Sequence, residues 1–323
     1  MTLRKQAGAS AAPEGADAVR LTSRKRCRRS PFDSDGMPST TRAAARCITA
    51  CVLTAWFAFA LADAPHDSKG TPDDAATIAS MRAAFEAEVH PRLSLPDDEL
   101  AARTTLLETA LARSGIWWLE AQFVVVVDRS PNVQVLLLLL GSPQLGWQSI
   151  GATPVSTGQP GRFEHFQTPL GVFEHSLANP DFRAEGTKNE LGIRGYGRKG
   201  ARIFDFGWVA APKGWGDHAT SVMRLQMHAT DPDILEPRLG AAQSKGCIRI
   251  PATLDAFLDR RAILDADYDE ALAGGARFWV LREDRVRPIV QGRYLVVVDS
   301  ATSERPPWSP WPAALAPPAP RRR

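Results

Sequence analysis

Cys247 stands in the segment Gln243-Ser-Lys-Gly-Cys-Ile-Arg-Ile250, directly after a glycine and shortly before Pro251. Both neighbours bear on reactivity. Glycine lets the backbone turn sharply and lets a substrate carbonyl approach, nearby amides can stabilise an oxyanion, and a helix opening at Pro251 would favour a thiolate. Lys245 and Arg249 add positive charge, which is expected to lower the thiol below its free pKa of about 8.5. Even a few per cent thiolate at neutral pH makes a good nucleophile.

Such a cysteine needs a base. His66 and His90 lie in an N-terminal prefix, which leaves His165, His175, His218 and His228. From Met223 to His228 the residues alternate: Val222, Arg224, Gln226 and His228 share one face of an expected strand, and Met223, Leu225 and Met227 the other. His228 therefore ends a rigid element, 19 positions before Cys247, with the loop Asp231 to Gln243 between them. His218 lies in a glycine-rich loop. Because rigid elements place catalytic groups better than loops do, His228 is the expected base. Any one of these histidines taken alone would read as a surface or structural group.

The remaining composition frames that pair. With 323 residues, 44% of them apolar, the chain can bury a sizeable core. Its formal charge of +3 is concentrated at the N-terminus: residues 1–62 hold 10 of the 39 basic and 4 of the 36 acidic residues, leaving the rest at −3. A weakly acidic body without a basic, aromatic stripe excludes nucleic acid as a partner. Arg42 and Arg46 precede an uncharged apolar run from Cys47 to Ala62, with Ala60-Leu61-Ala62 offering a cleavage site before Asp63. That is the layout of a signal peptide, too short to span a bilayer comfortably, and it predicts export to the periplasm or cell envelope, whether the segment is cleaved or kept as an anchor. Met37 makes a better-proportioned start than Met1. Cys27, Cys47 and Cys51 would leave with the leader, so the exported chain would keep only Cys247, whose retention in an oxidising compartment suggests a chemical use.

Between these landmarks the pattern predicts a helical prefix over residues 63–120, with helices at 72–91 and 96–114. The second has Asp97, Asp98 and Glu99 at its start and Gly115 at its end, and Leu100, Leu106, Leu107 and Leu111 on its packing face. Strands are expected at Phe123 to Val127, Val133 to Leu140, Ser149 to Ser156, Met223 to His228, Arg277 to Leu281 and Tyr294 to Val298. The continuous runs suggest strands covered on both faces. Residues 158–200 read as long loops, and a helix with Leu254, Phe257, Leu258 and Leu264 should follow Pro251. The tail from Thr302, with seven prolines, is expected to be disordered.

The order His228, a loop, then Ser244-x-Gly246-Cys247-Ile248-Arg249 resembles the catalytic signature of the L,D-transpeptidases of the YkuD type. Upstream, Val155-Ser-Thr-Gly-Gln-Pro-Gly161 and Thr168-Pro-Leu-Gly-Val-Phe173 are similar to that family's paired STG-x-PG and TP-x-G-x-F elements. The resemblance runs from about Gln122 to Leu281. The chain departs from it at Ala229, where the family usually has glycine, and at Lys245, where it often has histidine. Ala229 adds only a methyl group, whereas Lys245 removes an imidazole that would border the substrate and so bears on substrate preference more than on activity.

The resemblance implies a mainly β (α+β) sandwich over residues 121–300, with a helix after the cysteine loop, acting on peptidoglycan stem peptides without metal or cofactor. Cys247 would attack the carbonyl of the third residue and expel the terminal D-alanine, with His228 managing the proton and the amides of Gly246 and Cys247 holding the oxyanion. An amine, from a second stem or a wall-anchored protein, would resolve the thioester. Ser244 would orient the site, Arg249 would anchor the loop or a substrate carboxylate, and Lys245, Thr230 and Gly171 would border the substrate. Two alternatives stay open: water in place of the amine would give an L,D-carboxypeptidase or cross-link hydrolase, and a wall-binding module would keep the fold without a thioester.

Overall fold

The computed structural model describes residues 72–117 and 120–315. The leader, Met37, the three N-terminal cysteines, the linker 65–70 and the terminal arginines lie outside the described residues. In chain order the helices are α1 (Pro72–Glu88), α2 (Asp97–Arg113), α3 (Ala252–Arg260) and α4 (Ala266–Ala273). The strands are β1 (Gln122–Asp128), β2 (Val135–Ser142), β3 (Gly146–Pro154), β4 (Gly171–Glu174), β5 (Phe182–Arg183), β6 (Arg202–Pro212), β7 (Thr220–Ala229), β8 (Ile248–Ile250) and β9 (Tyr294–Val298). They form a five-stranded sheet ordered β3-β2-β1-β9-β4 and a four-stranded sheet ordered β5-β6-β7-β8. The expected mainly β, α+β sandwich is borne out.

The apolar runs are continuous because the first sheet is buried on both faces. Phe123, Val125, Val127, Leu136, Leu138 and Leu140 meet Phe204, Leu225, Met227, Ile248 and Ile250 of the second sheet. Phe85 of α1 and Phe257 of α3 close this layer edge to face at 5.5 Å. On the opposite face Val124, Val126, Leu137 and Leu139 pack under Leu107 and Leu111 of α2. Each such side chain, fully buried, stabilises the fold by about 1.5–3 kcal/mol. The prefix helices are thus layers of the same core.

The strand expected at Tyr294 to Val298 is present, and three other expectations change. β9 pairs parallel with β1 and antiparallel with β4, so a strand outside the family resemblance is the seam of the first sheet. Residues 277–281 form no strand: Phe278 stacks on Tyr268 and the Val280 carbonyl accepts from Arg183, leaving no strand edge to pair with. α3 stops at Arg260, short of Leu264, because Ala262 adopts a left-handed φ of 50°. The tail is ordered as far as Leu315: Arg305 donates to the Pro131 and Gly240 carbonyls at 2.8 and 2.9 Å, and Trp308 packs on the α2 layer. Proline content suggested disorder, but Trp308 and Arg305 give the segment something to bury. Among the described residues, no helix is long and apolar enough to cross a membrane.

Candidate active site

The two upstream motifs and the cysteine segment are one structure. Ser156 and Arg249 exchange backbone hydrogen bonds of 3.0 Å, the Ser244 amide donates to the Thr157 carbonyl at 2.9 Å, and the Gln159 amide donates to the Ser244 carbonyl at 3.0 Å. From the second motif, the Thr168 hydroxyl donates to the Gly246 carbonyl at 2.7 Å while accepting from the Gly158 amide at 2.8 Å. The loop is also tied internally: Ser244 Oγ donates to the Cys247 carbonyl at 2.5 Å and accepts from the Gly246 amide at 3.0 Å. Gly246 has φ 128°, a backbone conformation that favours glycine, and a Cβ there would press on the Met223 thioether 2.8 Å away. Ser244 thus ties Gly246 to Cys247 within the loop. The Gly246 amide, however, is taken by Ser244, which removes it as a free oxyanion donor.

β8 runs parallel to β7 through the pairs Met227↔Ile248 and His228↔Arg249, which brings Cys247 alongside β7. Its thiol faces the Arg224 carbonyl at 3.9 Å. On β7 the alternation holds: Met223, Leu225 and Met227 enter the core, and Gln226 and His228 occupy the other face. His228 Nδ1 lies 2.6 Å from the Ala229 carbonyl; since a carbonyl only accepts, Nδ1 carries the proton and Nε2 keeps its lone pair. Burial, helped by the Arg249 charge and opposed by the Ala229 bond, lowers His228 to about 4. The imidazole is neutral at neutral pH and able to accept a proton.

The thiol departs from expectation. Burial pushes the Cys247 thiol up, Asp205 pushes the same way, and Arg249 opposes them without prevailing. Lys245 contributes nothing to it, being paired with Glu164 at 3.2 Å on the surface. The helix N-terminus is also displaced, because β8 stands between Cys247 and α3. Cys247 is therefore held as a thiol and His228 as a neutral imidazole.

Arg249 donates to the Gln243 carbonyl at 3.2 Å, closing the loop, and among the described residues its guanidinium has no carboxylate partner. Thr230 is fully buried with its hydroxyl unpartnered, so it presents no surface to a substrate, contrary to expectation. Gly171 opens β4 and lines a cavity of about 290 Å³ with Leu106, Ala110 and Val297, facing α2 rather than the cysteine loop. His218 sits exposed in its loop at φ 54°. His165 bonds the Phe163 carbonyl at 2.9 Å. His175 is buried between Asp181, at 2.8 Å, and the Leu264 carbonyl; burial opposes its charge, but Asp181 outweighs it and holds the imidazole above its usual range.

No protein-family model matches the chain, and no curated protein does. Among solved structures there is a match to a mutant of the helical cell shape determining protein Pgp2 from Campylobacter jejuni, at 12% identity and a TM-score of 0.26. It covers 67% of this chain, which spans 60% of that one.

Sequence reading passed over three residues beside the base. Tyr196 sets its ring edge-on to His228 at 4.6 Å between centroids, and its hydroxyl donates to Gln226 Oε1 at 2.9 Å. Gln226 Nε2 in turn donates to the buried Asp205 carboxylate at 2.7 Å. Gln226 was placed on the correct face by alternation. Asp205 lies in β6, whose register shifts between Asp205 and Trp208, a bulge that hid the strand from the pattern.

Proposed function

We propose that the chain is a cysteine acyltransferase of the L,D-transpeptidase kind, acting on peptidoglycan stem peptides in the cell envelope. The observation that carries the reading is the cysteine loop clamped by both upstream motifs beside the strand that ends in His228: residues matched separately by resemblance meet as one hydrogen-bonded unit.

In this reading His228 Nε2 takes the Cys247 proton as sulfur attacks the carbonyl of the third stem residue. The oxyanion takes the Cys247 amide as its donor, the Gly246 amide being occupied by Ser244. When the C–N bond breaks, imidazolium returns the proton to the leaving D-alanine amine, and a second amine then attacks the thioester and regenerates the thiol. Arg249, with no carboxylate partner among the described residues, suits a substrate carboxylate beside the nucleophile.

Incubation with a tetrapeptide-bearing muropeptide, followed by mass analysis, tests the reaction. Cross-linked dimers are expected. Tripeptide alone would replace transfer with hydrolysis, and an unchanged muropeptide would contradict the enzymatic reading.

A further inference from the structure

On the outer face of the four-stranded sheet a chain of hydrogen bonds leads from a buried carboxylate to the base. Asp205 accepts from its own bulge at the Gly207 amide (2.8 Å), from Arg224 Nε (2.7 Å) and from Gln226 Nε2 (2.7 Å). A glutamine whose nitrogen is committed to a carboxylate must turn its oxygen the other way, and there it accepts from the Tyr196 hydroxyl at 2.9 Å. The loop carrying Tyr196 is held a second time through its backbone. The Arg194 amide donates to Asp231 at 2.9 Å, and Gly197, at φ 82°, lies so close to Ala229 that a Cβ there would stand 3.0 Å from the Ala229 methyl. Tyr196 is exposed at the surface, yet both of its anchors end on residues flanking His228, and its ring meets the imidazole at 4.6 Å with planes 63° apart.

We propose that Tyr196 is the positioning residue of the base: tethered through Gln226 to Asp205, it holds its ring over His228, excludes water from the imidazole and keeps Nε2 turned to the thiol. This rests on the reading of Cys247 and His228 as nucleophile and base. Arg249 from β8 is the charge that acts on the imidazole, while Cys247, Asp205 and Arg224 act on the Tyr196 hydroxyl and Asp231 holds the loop at Arg194. Tyr196 is the neutral cover among them, so its removal changes the solvation of His228 while leaving every one of those charges in place.

The test is an ¹⁵N NMR titration of the His228 ring nitrogens in the full chain, wild type against Tyr196→Ala and Tyr196→Phe. Admitting water should raise the imidazole midpoint by about one unit or more in the alanine variant. The phenylalanine variant, which keeps the ring and loses only the tether, should rise by about half a unit. The acid limb of the pH–rate profile for acylation of Cys247 should move up by the same amounts, a change that a merely structural role would not produce. A midpoint unmoved in both folded variants overturns the proposal. The titration needs no substrate, so it decides the role of Tyr196 separately from whether peptide is transferred; a wild type that never forms an acyl-enzyme would overturn the function and not the titration.

Discussion

His218 and His228 occupy identical His-Ala-Thr triplets, and the difference between them is how each is held. His228 is buried at the end of β7 with Nδ1 fixed to the Ala229 carbonyl, whereas His218 stands on an exposed loop. The sign of the pH dependence follows from the depressed imidazole pKa. The neutral base is present above about 4 and lost as pH falls through that value, so wild-type acylation should persist well below the usual histidine range. His228→Ala should lose about 10²–10⁴-fold in acylation rate at neutral pH and recover in part under alkaline conditions, as the raised thiol ionises unaided. His218→Ala should remain within a few-fold of wild type. Stopped-flow acylation across pH distinguishes the two, and the reverse order of effects would reassign the base. The strand alternation made His228 legible in the sequence. The thiol's upward shift was not, because it depends on burial and on the nearby Asp205, neither of which composition reveals.

Elements rather than single groups hold the cysteine loop. Gly158 is so tightly packed that a Cβ would run into the Phe166 carbonyl oxygen, within the segment that ties Lys245 and Gly246. Gly158→Ala should therefore displace the loop and slow acylation by about 10²-fold with Cys247 untouched; an unaffected rate would show that the clamp does not position the nucleophile. Beneath the site, Arg202 of β6 binds Asp181 and Asp265 at 2.7 Å each and Asp259 of α3 at 3.3 Å, locking helix to sheet. Beside it Asp255 is raised to about 8 by burial and then by Asp259. A raised carboxyl contributes stability below its unfolded pKa of about 4 and loses it as pH climbs through the folded value. Asp255→Asn should accordingly gain on wild type by a few kcal/mol, on the order of one per pH unit, between pH 4 and 8 in denaturant melts. A difference independent of pH would mean that Asp255 is ionised in the folded chain. β1 and β2 were readable as strands because they are apolar throughout; β6 was not, because its bulge at Gly207 breaks the alternation and its charged residues serve the buried network.

At the scale of the molecule, the helices and the C-terminal segment enclose the first sheet. Arg305 reaches the Gly240 carbonyl, whose own amide donates to Val155 at 2.7 Å just before the cysteine loop begins. Ser309 Oγ donates to the Val133 carbonyl at 2.6 Å, and Arg103 of α2 lies 5.3 Å from the Trp308 ring. Ending the chain after Ala301 should destabilise it by about 2–4 kcal/mol through lost burial, lowering Tm by several degrees, and should slow acylation several-fold as the loop entry loosens. A truncated chain with wild-type Tm would show that the tail packs without consequence. The core was legible from the leucine and valine runs, whereas seven prolines masked a tail whose order depends on contacts made far along the chain.

The proposed function requires that Cys247 form a covalent acyl-enzyme. Intact-mass measurement after exposure to a carbapenem, the acylating class that the L,D-transpeptidase resemblance implies, tests it most directly. One adduct per chain is predicted on wild type and none on Cys247→Ala, with formation slowed in His228→Ala. A wild type that takes no adduct, or a Cys247→Ala chain that takes one, would contradict it.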